Sequence, residues 1–369
     1  MKKKIIIAGG GTGGHIFPAV AIANTVKEFL PDTEILFVGA NGRMEMIRVP
    51  EAGFSIKGID VYGLQRKLSL KNCIENAKLP FRLYRSTQQA KKIIKNFRPD
   101  AVVGVGGYVS YPILNIAASM KIPTLVQEQN SYPGVTNKLL SKKVDVICTA
   151  YDNLERFFPA HKIIKTGNPI RKEILNPVNK KEAYNHFHLD ENKKTVAIVG
   201  GSSGARTINE CVGSFAEELS NKNIQMIWQT GEYHYPTLLQ EYKELREIKI
   251  VPFIQRMDYL YSIADIVVSR AGALAISELC AVGKPCILVP SPNVSEDHQT
   301  KNAKILSEAN AAVLIPDNKA KKELKDAVFE LINDDTRRAV MNENLKKMSR
   351  PDAAKHIADE VVKLLGSHS

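Results

Sequence analysis

The sequence predicts an α/β protein with two domains, each built on a parallel sheet that is covered by helices. The chain has 369 residues, which is longer than a domain with a single hydrophobic core usually is. Short apolar runs alternate with helical patterns along its whole length, as in strands joined by crossover helices. The two halves also begin alike, because KKIIIAGGGTGGH at 3–15 resembles KKTVAIVGGSSGAR at 193–206. Each of these stretches is an apolar strand followed by a glycine turn and a helix.

The apolar runs give the predicted strands. They are Lys4–Ala8, Ile35–Val38, Ala101–Val105, Thr124–Val126, Val144–Thr149, Thr195–Val199, Gln225–Trp228, Ile248–Val251, Ile266–Ser269, Cys286–Val289 and Ala312–Leu314. A linker is expected near Gly167–Asn192, which contains two prolines and many charged residues. The predicted domains are therefore 1–166 and 167–349.

The first element is a strand, Lys4–Ala8, followed by a glycine turn and a helix from about Ile16. Three lysines precede the apolar run, as in a secretory signal, but six residues of Gly and Thr break the run too early for an apolar helix. Pro18 fits the first turn of a helix, where no backbone donor is needed.

Glycine lets a ligand approach the backbone closely, and a helix start offers N–H groups suited to phosphate. The turn contains G-x-G-x-x-G, yet the second strand ends in Gly39-Ala40-Asn41 without the acidic residue of a dinucleotide site. A Walker loop is excluded, because His15 stands in place of its lysine. Phosphate binding and a purely structural turn both remain open for this loop alone. A third glycine turn, at 104–110, also follows a strand, and three such loops favour a phosphate-rich ligand in a cleft between two sheets.

Composition describes a globular protein, with 44% hydrophobic and 24% charged residues. The nearest candidate for a membrane span, the uncharged stretch Ala101–Met120, contains three glycines and a proline, so it is not expected to span a bilayer. Five scattered cysteines suggest reduced thiols in a cytoplasm and no metal site. The net charge of +12 suits a basic solvated surface, an anionic membrane surface, phosphate-bearing substrates or nucleic acid. Nucleic acid is the least supported of these, since no nucleic-acid-binding motif is present.

Seven motifs in order carry a resemblance to a known family. They are GGTGGHIFP at 10–18, GGYVS at 106–110, EQN at 128–130, GNPIR at 167–171, GGSSGAR at 200–206, SRAGALAISE at 269–278 and DHQTKN at 297–302. With them the chain resembles the GT-B glycosyltransferases over its whole length, and among these the bacterial N-acetylglucosaminyltransferases that form lipid II for peptidoglycan. That resemblance implies two Rossmann-like domains facing each other across a cleft.

The resemblance also implies the reaction and its partners. GlcNAc would pass from UDP-GlcNAc to the C4 hydroxyl of MurNAc in undecaprenyl-pyrophosphoryl-MurNAc-pentapeptide (lipid I). The donor is an α-glycoside and the product a β-glycoside, so the anomeric centre inverts in one displacement. No Asp-x-Asp motif occurs, so neither a metal clamp nor another cofactor is expected.

By this resemblance the C-terminal domain binds the donor. Ser202 would bond a diphosphate oxygen from a glycine turn at a helix start, and Arg171 would neutralise the same diphosphate. Glu278 would accept the ribose hydroxyls. Each residue type also has an ordinary structural role, as a helix cap, a surface charge or a solvated helix residue.

Further donor contacts are assigned by the same resemblance. Ala273 and Leu274 lie at the start of the helix that follows Ser269, where N–H groups can face phosphate. The backbone of Ile254 would meet uracil, and Gln299 would hold the GlcNAc hydroxyls. The neighbouring His298 occupies a position that is glutamine in some relatives.

The N-terminal domain would bind the acceptor, with the final helix (350–369) packing back onto it. Thr12, Gly13 and Gly14 are expected beside the acceptor pyrophosphate and the transferring sugar. His15 is the candidate base, since an imidazole titrates near neutral pH and a helix start disfavours its charged form. Glu128 is the rival base, and Asn130 is expected to orient the substrate.

A membrane-seeking segment is expected at Leu68–Ile94. It mixes apolar residues (Ile74, Leu79, Phe81, Leu83, Tyr84) with cations (Lys71, Lys78, Arg82, Arg85, Lys91, Lys92). Such a segment can seat apolar side chains among lipid tails and cations near anionic head groups, although an ordinary amphipathic helix has the same pattern. The expected location is the cytoplasmic face of the plasma membrane, as a peripheral protein.

Three other functions are weighed against this one. A UDP-GlcNAc 2-epimerase shares the scaffold and the donor but needs no lipid acceptor. An NAD-dependent dehydrogenase is disfavoured by the missing acidic residue after the second strand. A non-catalytic protein that binds a lipid carrier or a nucleotide would not depend on His15 and Glu128.

Overall fold

A computed structural model describes residues 2–61, 79–201 and 204–366, except for the side chain of Ser295. The chain divides into two compact units, Met1–Ile170 with Asp352–Ser369 (unit 1) and Arg171–Pro351 (unit 2). Each unit contains one parallel sheet with helices on both faces, which confirms the predicted fold class.

The strands of unit 1 are β1 (Lys4–Ala8), β2 (Glu34–Ala40), β3 (Ser55–Ile59), β4 (Ala101–Gly104), β5 (Thr124–Glu128), β6 (Val146–Thr149) and β7 (Ile163–Lys165). Those of unit 2 are β8 (Thr195–Val199), β9 (Gln225–Gln229), β10 (Ile248–Val251), β11 (Ile266–Ser269), β12 (Cys286–Leu288) and β13 (Val313–Leu314).

The α-helices are α1 (Gly13–Phe29), α2 (Glu45–Glu51), α3 (Leu79–Phe97), α4 (Ser110–Ser119), α5 (Val135–Leu140), α6 (Lys180–Phe187), α7 (Arg206–Gly213), α8 (Ala216–Asn221), α9 (Tyr235–Glu241), α10 (Met257–Ile263), α11 (Ala273–Val282), α12 (His298–Glu308), α13 (Ala320–Asn333), α14 (Asp335–Met348) and α15 (Ala353–Gly366). Short 3-10 helices lie at Ala160–Lys162, Lys172–Leu175, Ser295–Asp297 and Asp317–Lys319.

The sheet of unit 1 has the strand order β3-β2-β1-β4-β5-β6-β7, and all its described pairs are parallel. Helices α1, α2 and α15 contribute to the core on one face, while α3, α4 and α5 contribute to the core on the other. Successive side chains of β1 alternate between these two cores, as strand geometry requires. The strand order reverses between β1 and β4, which makes the carboxyl ends of these strands the expected ligand position.

The sheet of unit 2 has the order β10-β9-β8-β11-β12-β13, again with parallel pairs. Helices α7, α8 and α13 pack on one face, and α6, α10, α11 and α12 pack on the other. Here the order reverses between β8 and β11. The glycine loop after β8 and the start of α11 therefore lie at neighbouring strand ends.

Two strands and the start of one helix differ from the predictions, and seven other strands differ from their predicted bounds by one or two residues. Strands β3 and β7 were not predicted, because SIKGI and IIK are short edge strands without a long apolar run. Helix α1 begins at Gly13 rather than near Ile16, since the Thr12 carbonyl already accepts the N–H groups of His15 and Ile16. Pro18 is consequently inside the helix and not in its first turn, where its missing N–H removes one helical bond.

Within the described ranges, no helix is long and apolar enough to cross a membrane. Helix α15 closes one core of unit 1, where Ile357, Val361 and Leu365 are buried with residues of α1 and β1. The Lys3 ammonium also donates a hydrogen bond of 3.1 Å to the Leu365 carbonyl. The end of the chain is thus part of the same core as its beginning.

We predict that Ile357→Ala lowers the free energy of unfolding by about 2–5 kcal/mol, because it leaves a cavity in this core. The measurement is denaturant unfolding followed by circular dichroism. The matched control is Lys355→Ala on the exposed side of the same helix, which should change stability little. Equal stability of the two variants would contradict the packing described here.

Candidate active site

The glycine loop after β1 and the glycine turn after β4 meet at the switch point of unit 1. Ala8 and Gly104 are paired at the ends of these strands, and the Val105 N–H donates to the Ala8 carbonyl at 2.8 Å. The buried Ser110 hydroxyl lies 2.8 Å from both the Ala8 and the Gly106 carbonyl oxygens. One side chain therefore ties the two loops together.

The two loops approach so closely that side chains are excluded between them. A Cβ atom on Gly107 would lie 2.5 Å from the Gly10 carbonyl oxygen, and one on Gly106 would lie 2.8 Å from Cδ2 of His15. Both glycines have positive φ, +96° at Gly106 and +82° at Gly107. Glycine is required at both positions, for conformation and for space.

His15 is the third residue of α1, and its imidazole lies between the two loops. Its Nδ1 is 3.0 Å from the Gly10 carbonyl oxygen and 3.4 Å from the Thr12 hydroxyl. A carbonyl only accepts, so Nδ1 carries the proton in this bond and donates it. The basic lone pair of a neutral ring is then on Nε2, on the edge that faces Gly106. This is the arrangement of a base whose orientation is fixed by its second nitrogen.

Three other residues that are predicted to bind the acceptor, Thr12, Gly13 and Gly14, directly precede His15 in the chain. Thr12 is exposed and caps α1 with its backbone only, since its side chain makes no capping bond. Gly13 and Gly14 supply the first N–H groups of the helix, with Gly13 partly exposed and Gly14 exposed. The start of α1 therefore presents accessible donors beside His15, as an anionic ligand requires.

Glu45, which sequence reasoning missed, holds the glycine loop from inside the protein. It has no solvent exposure, and its carboxylate accepts the N–H groups of Gly11 and Ala40, each at 2.9 Å. The end of β2 has no acidic residue of its own, but the Glu45 carboxylate reaches it from α2, the helix that follows the strand. Its signal in the sequence was a glutamate soon after a predicted strand end.

Glu128, the second predicted base, is 1% exposed at the end of β5. Its oxygens accept the N–H of Asn130 at 3.0 Å, the Asn130 amide at 3.2 Å, the N–H of Gly134 at 3.1 Å and the Asn137 amide at 2.9 Å. Burial raises the pKa of the Glu128 carboxyl, and these hydrogen bonds act in the opposite direction. In this arrangement Glu128 binds the loop that follows β5 and the first turn of α5, and Asn130 lies in the partly exposed part of that loop.

In unit 2 the glycine loop after β8 packs against the end of β9. A Cβ atom on Gly204 would lie 2.2 Å from the Thr230 carbonyl oxygen, and one on Gly200 would lie 3.1 Å from that of Gln229. Ser202, the predicted diphosphate ligand in this loop, lies outside the described residues. The described part of the loop leads directly into α7.

Arg171 and Glu278 form an ion pair in unit 2. The Nη2 and Nε atoms of Arg171 lie 3.0 and 3.2 Å from Glu278 Oε1, and the Tyr261 hydroxyl donates to Oε2 at 3.1 Å. The side chains of Glu278 and Arg171 are 5% and 27% exposed. Burial raises the pKa of Glu278, whereas Arg171 and Tyr261 lower it. The predicted diphosphate and ribose ligands are therefore partners of each other in this structure.

The remaining predicted donor residues lie along the same edge of the sheet. Ala273 and Leu274 are partly exposed in the first turn of α11, and no side chain caps this helix at Gly272. Ile254 is buried, which leaves its backbone for any ligand contact. The side-chain oxygen of Gln299 accepts the Ser291 N–H at 2.8 Å.

A second network that sequence reasoning missed ties three strand ends of unit 2 together. Arg270, directly after β11, donates to the carbonyls of Val289 and Pro290 at 3.1 and 3.2 Å and pairs with Asp317. The other oxygen of Asp317 accepts the Thr207 hydroxyl at 3.0 Å. The first turn of α7 is thereby anchored beside the glycine loop.

Among the residues that the structure describes, no group of three or more His, Cys, Asp or Glu side chains could hold a metal ion. The polar groups near the two switch points are backbone N–H groups, hydroxyls, amides, one imidazole and two arginines, together with buried carboxylates that accept hydrogen bonds from the protein itself. Such groups suit a ligand that carries phosphate and hydroxyl groups.

Comparisons with known proteins agree with this chemistry. Residues 5–149 match the model of the glycosyltransferase family 28 N-terminal domain, and residues 195–357 match that of the family 28 C-terminal domain. A protein of Parabacteroides distasonis is 50% identical over 99% of both chains, and one of Phocaeicola vulgatus is 52% identical over 98% of this chain and 96% of its own. Both are named UDP-N-acetylglucosamine–N-acetylmuramyl-(pentapeptide) pyrophosphoryl-undecaprenol N-acetylglucosamine transferase.

A solved structure shows the same similarity in three dimensions. The crystal structure of Acinetobacter baumannii MurG superposes with a TM-score of 0.75 at 28% sequence identity. The match covers 98% of this chain and 99% of that one.

We predict that Arg171→Ala lowers the stability of unit 2 by about 2–4 kcal/mol near neutral pH, because it leaves the buried Glu278 carboxylate without its cation. The pKa of Glu278 is raised in the folded state, so folding stability falls as the pH rises through that pKa. Without Arg171 the pKa rises further, so the loss should be larger at about pH 8 than at about pH 5.

Urea unfolding at the two pH values measures this effect, and the fluorescence of Trp228, the single tryptophan, reports on unit 2. The double variant Arg171→Ala/Glu278→Gln is the control, because it has no carboxylate to protonate. A stability loss of Arg171→Ala that does not depend on pH would contradict the assignment.

Proposed function

The chain belongs to glycosyltransferase family 28, and from this premise we propose that it transfers GlcNAc from UDP-GlcNAc to lipid-linked MurNAc-pentapeptide, the step that forms lipid II for peptidoglycan. The observation that carries the proposal is about 50% identity to relatives named for this transfer, over nearly the full length of both chains. The expected family is confirmed by the same comparisons.

The donor is proposed to bind unit 2. The loop that contains Ser202 and the uncapped start of α11, at Ala273 and Leu274, lie at neighbouring strand ends, where N–H groups suit a diphosphate. Arg171 adds positive charge, and Glu278 accepts the ribose hydroxyls. Gln299 holds the sugar, and the backbone of Ile254 meets uracil.

The acceptor is proposed to bind unit 1, with its pyrophosphate near Thr12, Gly13 and Gly14 and its sugar oriented by Asn130. Of the two candidate bases, the geometry favours His15. Its Nδ1–H is held by a carbonyl, which leaves the basic lone pair on Nε2. Glu128 has both oxygens engaged with the loop that follows it.

The proposed chemistry is a single displacement with inversion. The C4 oxygen of MurNAc attacks the anomeric carbon of GlcNAc, and the bond from that carbon to the UDP oxygen breaks. The hydroxyl proton passes to Nε2 of His15, and the departing UDP keeps the electron pair. Backbone N–H groups and Arg171 stabilise its charge.

We predict that UDP release by the purified protein requires a soluble lipid I analogue together with UDP-GlcNAc. Release that proceeds equally well without the acceptor would contradict the proposal and favour an enzyme that transfers the sugar to water, such as a hydrolase or a hydrolysing 2-epimerase. His15→Ala should lower kcat about 100-fold or more, since a general base contributes on that order. Glu128→Gln should act mainly on stability and on the KM for the acceptor. UDP affinity, measured by calorimetry, should be unchanged in His15→Ala.

One face of unit 1 supports the proposed membrane contact. Helices α3, α4 and α5 share one layer, and α3 exposes Phe81 (72%), Leu83 and Tyr84 (63%). Val135 and Leu139 are exposed on α5 in the same layer. Basic side chains accompany them, namely Arg82, Arg85, Lys91, Lys92, Lys138, Lys142 and Lys143. Residues 68–78, the first part of the expected membrane segment, lie outside the described residues.

Exposed apolar and basic side chains on one helix layer suit an anionic bilayer, because aromatic side chains can enter the interface while cations remain among the head groups. We place the protein peripherally on the cytoplasmic side of the membrane, where a lipid-linked acceptor would be reached. Nucleic acid is not among the proposed partners.

We predict that Phe81→Asp/Tyr84→Asp weakens binding to vesicles that contain phosphatidylglycerol by at least about tenfold, because two aromatic side chains no longer enter the lipid. Co-sedimentation measures the binding. The matched control is Ile47→Asp, an equally exposed apolar side chain on α2 in the opposite helix layer. Equal losses for both variants, or none for either, would contradict the assigned face.

A further inference from the structure

The peptide unit between Gly10 and Gly11 is held at both of its ends. Its carbonyl oxygen, on Gly10, accepts the Nδ1–H of His15 at 3.0 Å. Its N–H, on Gly11, donates to Oε2 of Glu45 at 2.9 Å. Glu45 and His15 are 30 residues apart in sequence, yet one planar peptide joins them.

The other oxygen of the Glu45 carboxylate is fixed as well, because Oε1 accepts the Ala40 N–H at 2.9 Å. Space for this side chain comes from two glycines. A Cβ atom on Gly10 would lie 2.1 Å from Oε1, and one on Gly39 would lie 2.5 Å from Cγ. The carboxylate is therefore buried in a site shaped for it, and its direction is set by two backbone donors.

An ionised carboxylate only accepts hydrogen bonds, so both N–H groups are satisfied by the charged form. A negative charge on the N–H end of a peptide strengthens the acceptor at its carbonyl end, because hydrogen-bonded groups in series polarise one another. A stronger acceptor at Gly10 favours the His15 tautomer with its proton on Nδ1. That tautomer has its basic lone pair on Nε2.

We propose that Glu45 is a positioning residue that acts through the Gly10–Gly11 peptide to fix the tautomer and orientation of the His15 imidazole. In a catalytic triad a carboxylate orients a histidine, which takes a proton from a hydroxyl. Here a peptide unit lies between the carboxylate and the imidazole ring. The inference rests on the proposed function for the role of His15 as base. The coupling between Glu45 and His15 can be tested separately.

The first test is a double-mutant cycle with Glu45→Gln, His15→Ala and the double variant, in the acceptor-dependent assay. Glutamine is nearly isosteric, but its NH2 group must face one of the two N–H donors, and in either orientation the negative charge that polarises the peptide is lost. We expect Glu45→Gln to lower kcat about tenfold. Removal of the group that hydrogen-bonds the second nitrogen of a metal-ligating histidine has an effect of this order. In the His15→Ala background the same change should have no further effect on kcat.

Glu51→Gln is the matched control, because Glu51 is an exposed glutamate on the same helix, paired with Arg48. It should leave kcat unchanged. Circular dichroism and thermal unfolding establish that Glu45→Gln is folded. A kcat loss that is the same with and without His15 would show that Glu45 acts on the loop and not through the imidazole, and it would overturn the inference.

The second test does not depend on turnover. In protein labelled with ring-15N histidine, long-range 1H–15N correlation distinguishes a proton on Nδ1 from one on Nε2, and His15→Ala identifies the His15 signals. We expect the Nδ1–H form in the wild-type protein and in Glu51→Gln, and a shift toward the Nε2–H form in Glu45→Gln. Identical His15 spectra in all three proteins would overturn the inference.

The two tests separate the coupling from the proposed function. If His15→Ala retains full activity while the tautomer still responds to Glu45→Gln, the coupling is supported and the role of His15 as base is wrong. If His15→Ala abolishes activity and the tautomer does not respond, the base is supported and the coupling is wrong.

Discussion

Backbone-to-backbone contact between loops at the strand ends is the constraint on which the candidate site residues of each unit depend. In unit 1 the Gly10 carbonyl lies against Gly107, and in unit 2 the Thr230 carbonyl lies against Gly204. Neither contact leaves room for a side chain, so the loops can meet only where glycine occurs. This close approach places helix starts and N–H groups at the switch points of both sheets, where phosphate-bearing ligands bind in proteins of this type.

Buried carboxylates then hold these loops in place. Glu45 and Glu128 each accept N–H groups from two separate positions of the chain, and Glu278 is held by a guanidinium and a phenol. Charged groups are costly to bury unless hydrogen bonds compensate them, and each of these has such partners. These acidic side chains therefore bind backbone N–H groups and an arginine of the protein itself. Over the whole protein positive charge predominates, with a net charge of +12.

Much of the fold was predictable from the sequence, because strand and helix periodicity is a local property. Strands β1, β8, β10 and β11 were predicted with their observed bounds, and the glycine turns were predicted at strand ends, where the structure has them. Glu45 and Arg270 were not predictable in the same way, since their partners depend on which strands become neighbours. The pairing of Arg171 with Glu278 was missed for the same reason, because the two residues are 107 positions apart. Sequence reasoning selected His15 by its residue type, but only the fold shows which of its nitrogens is engaged.

The last helix has a consequence for synthesis of the protein. Helix α15 completes a core that also contains β1 and α1, which leave the ribosome more than 300 residues before it. Unit 2 is encoded entirely before that helix, so it can finish folding while the amino-terminal unit still exposes the apolar surface that α15 will cover. During translation unit 1 thus begins to emerge before unit 2 but completes its core after it. In nascent chains that end before residue 352, unit 1 is the part that would most need chaperones, because the apolar surface that α15 covers is still exposed.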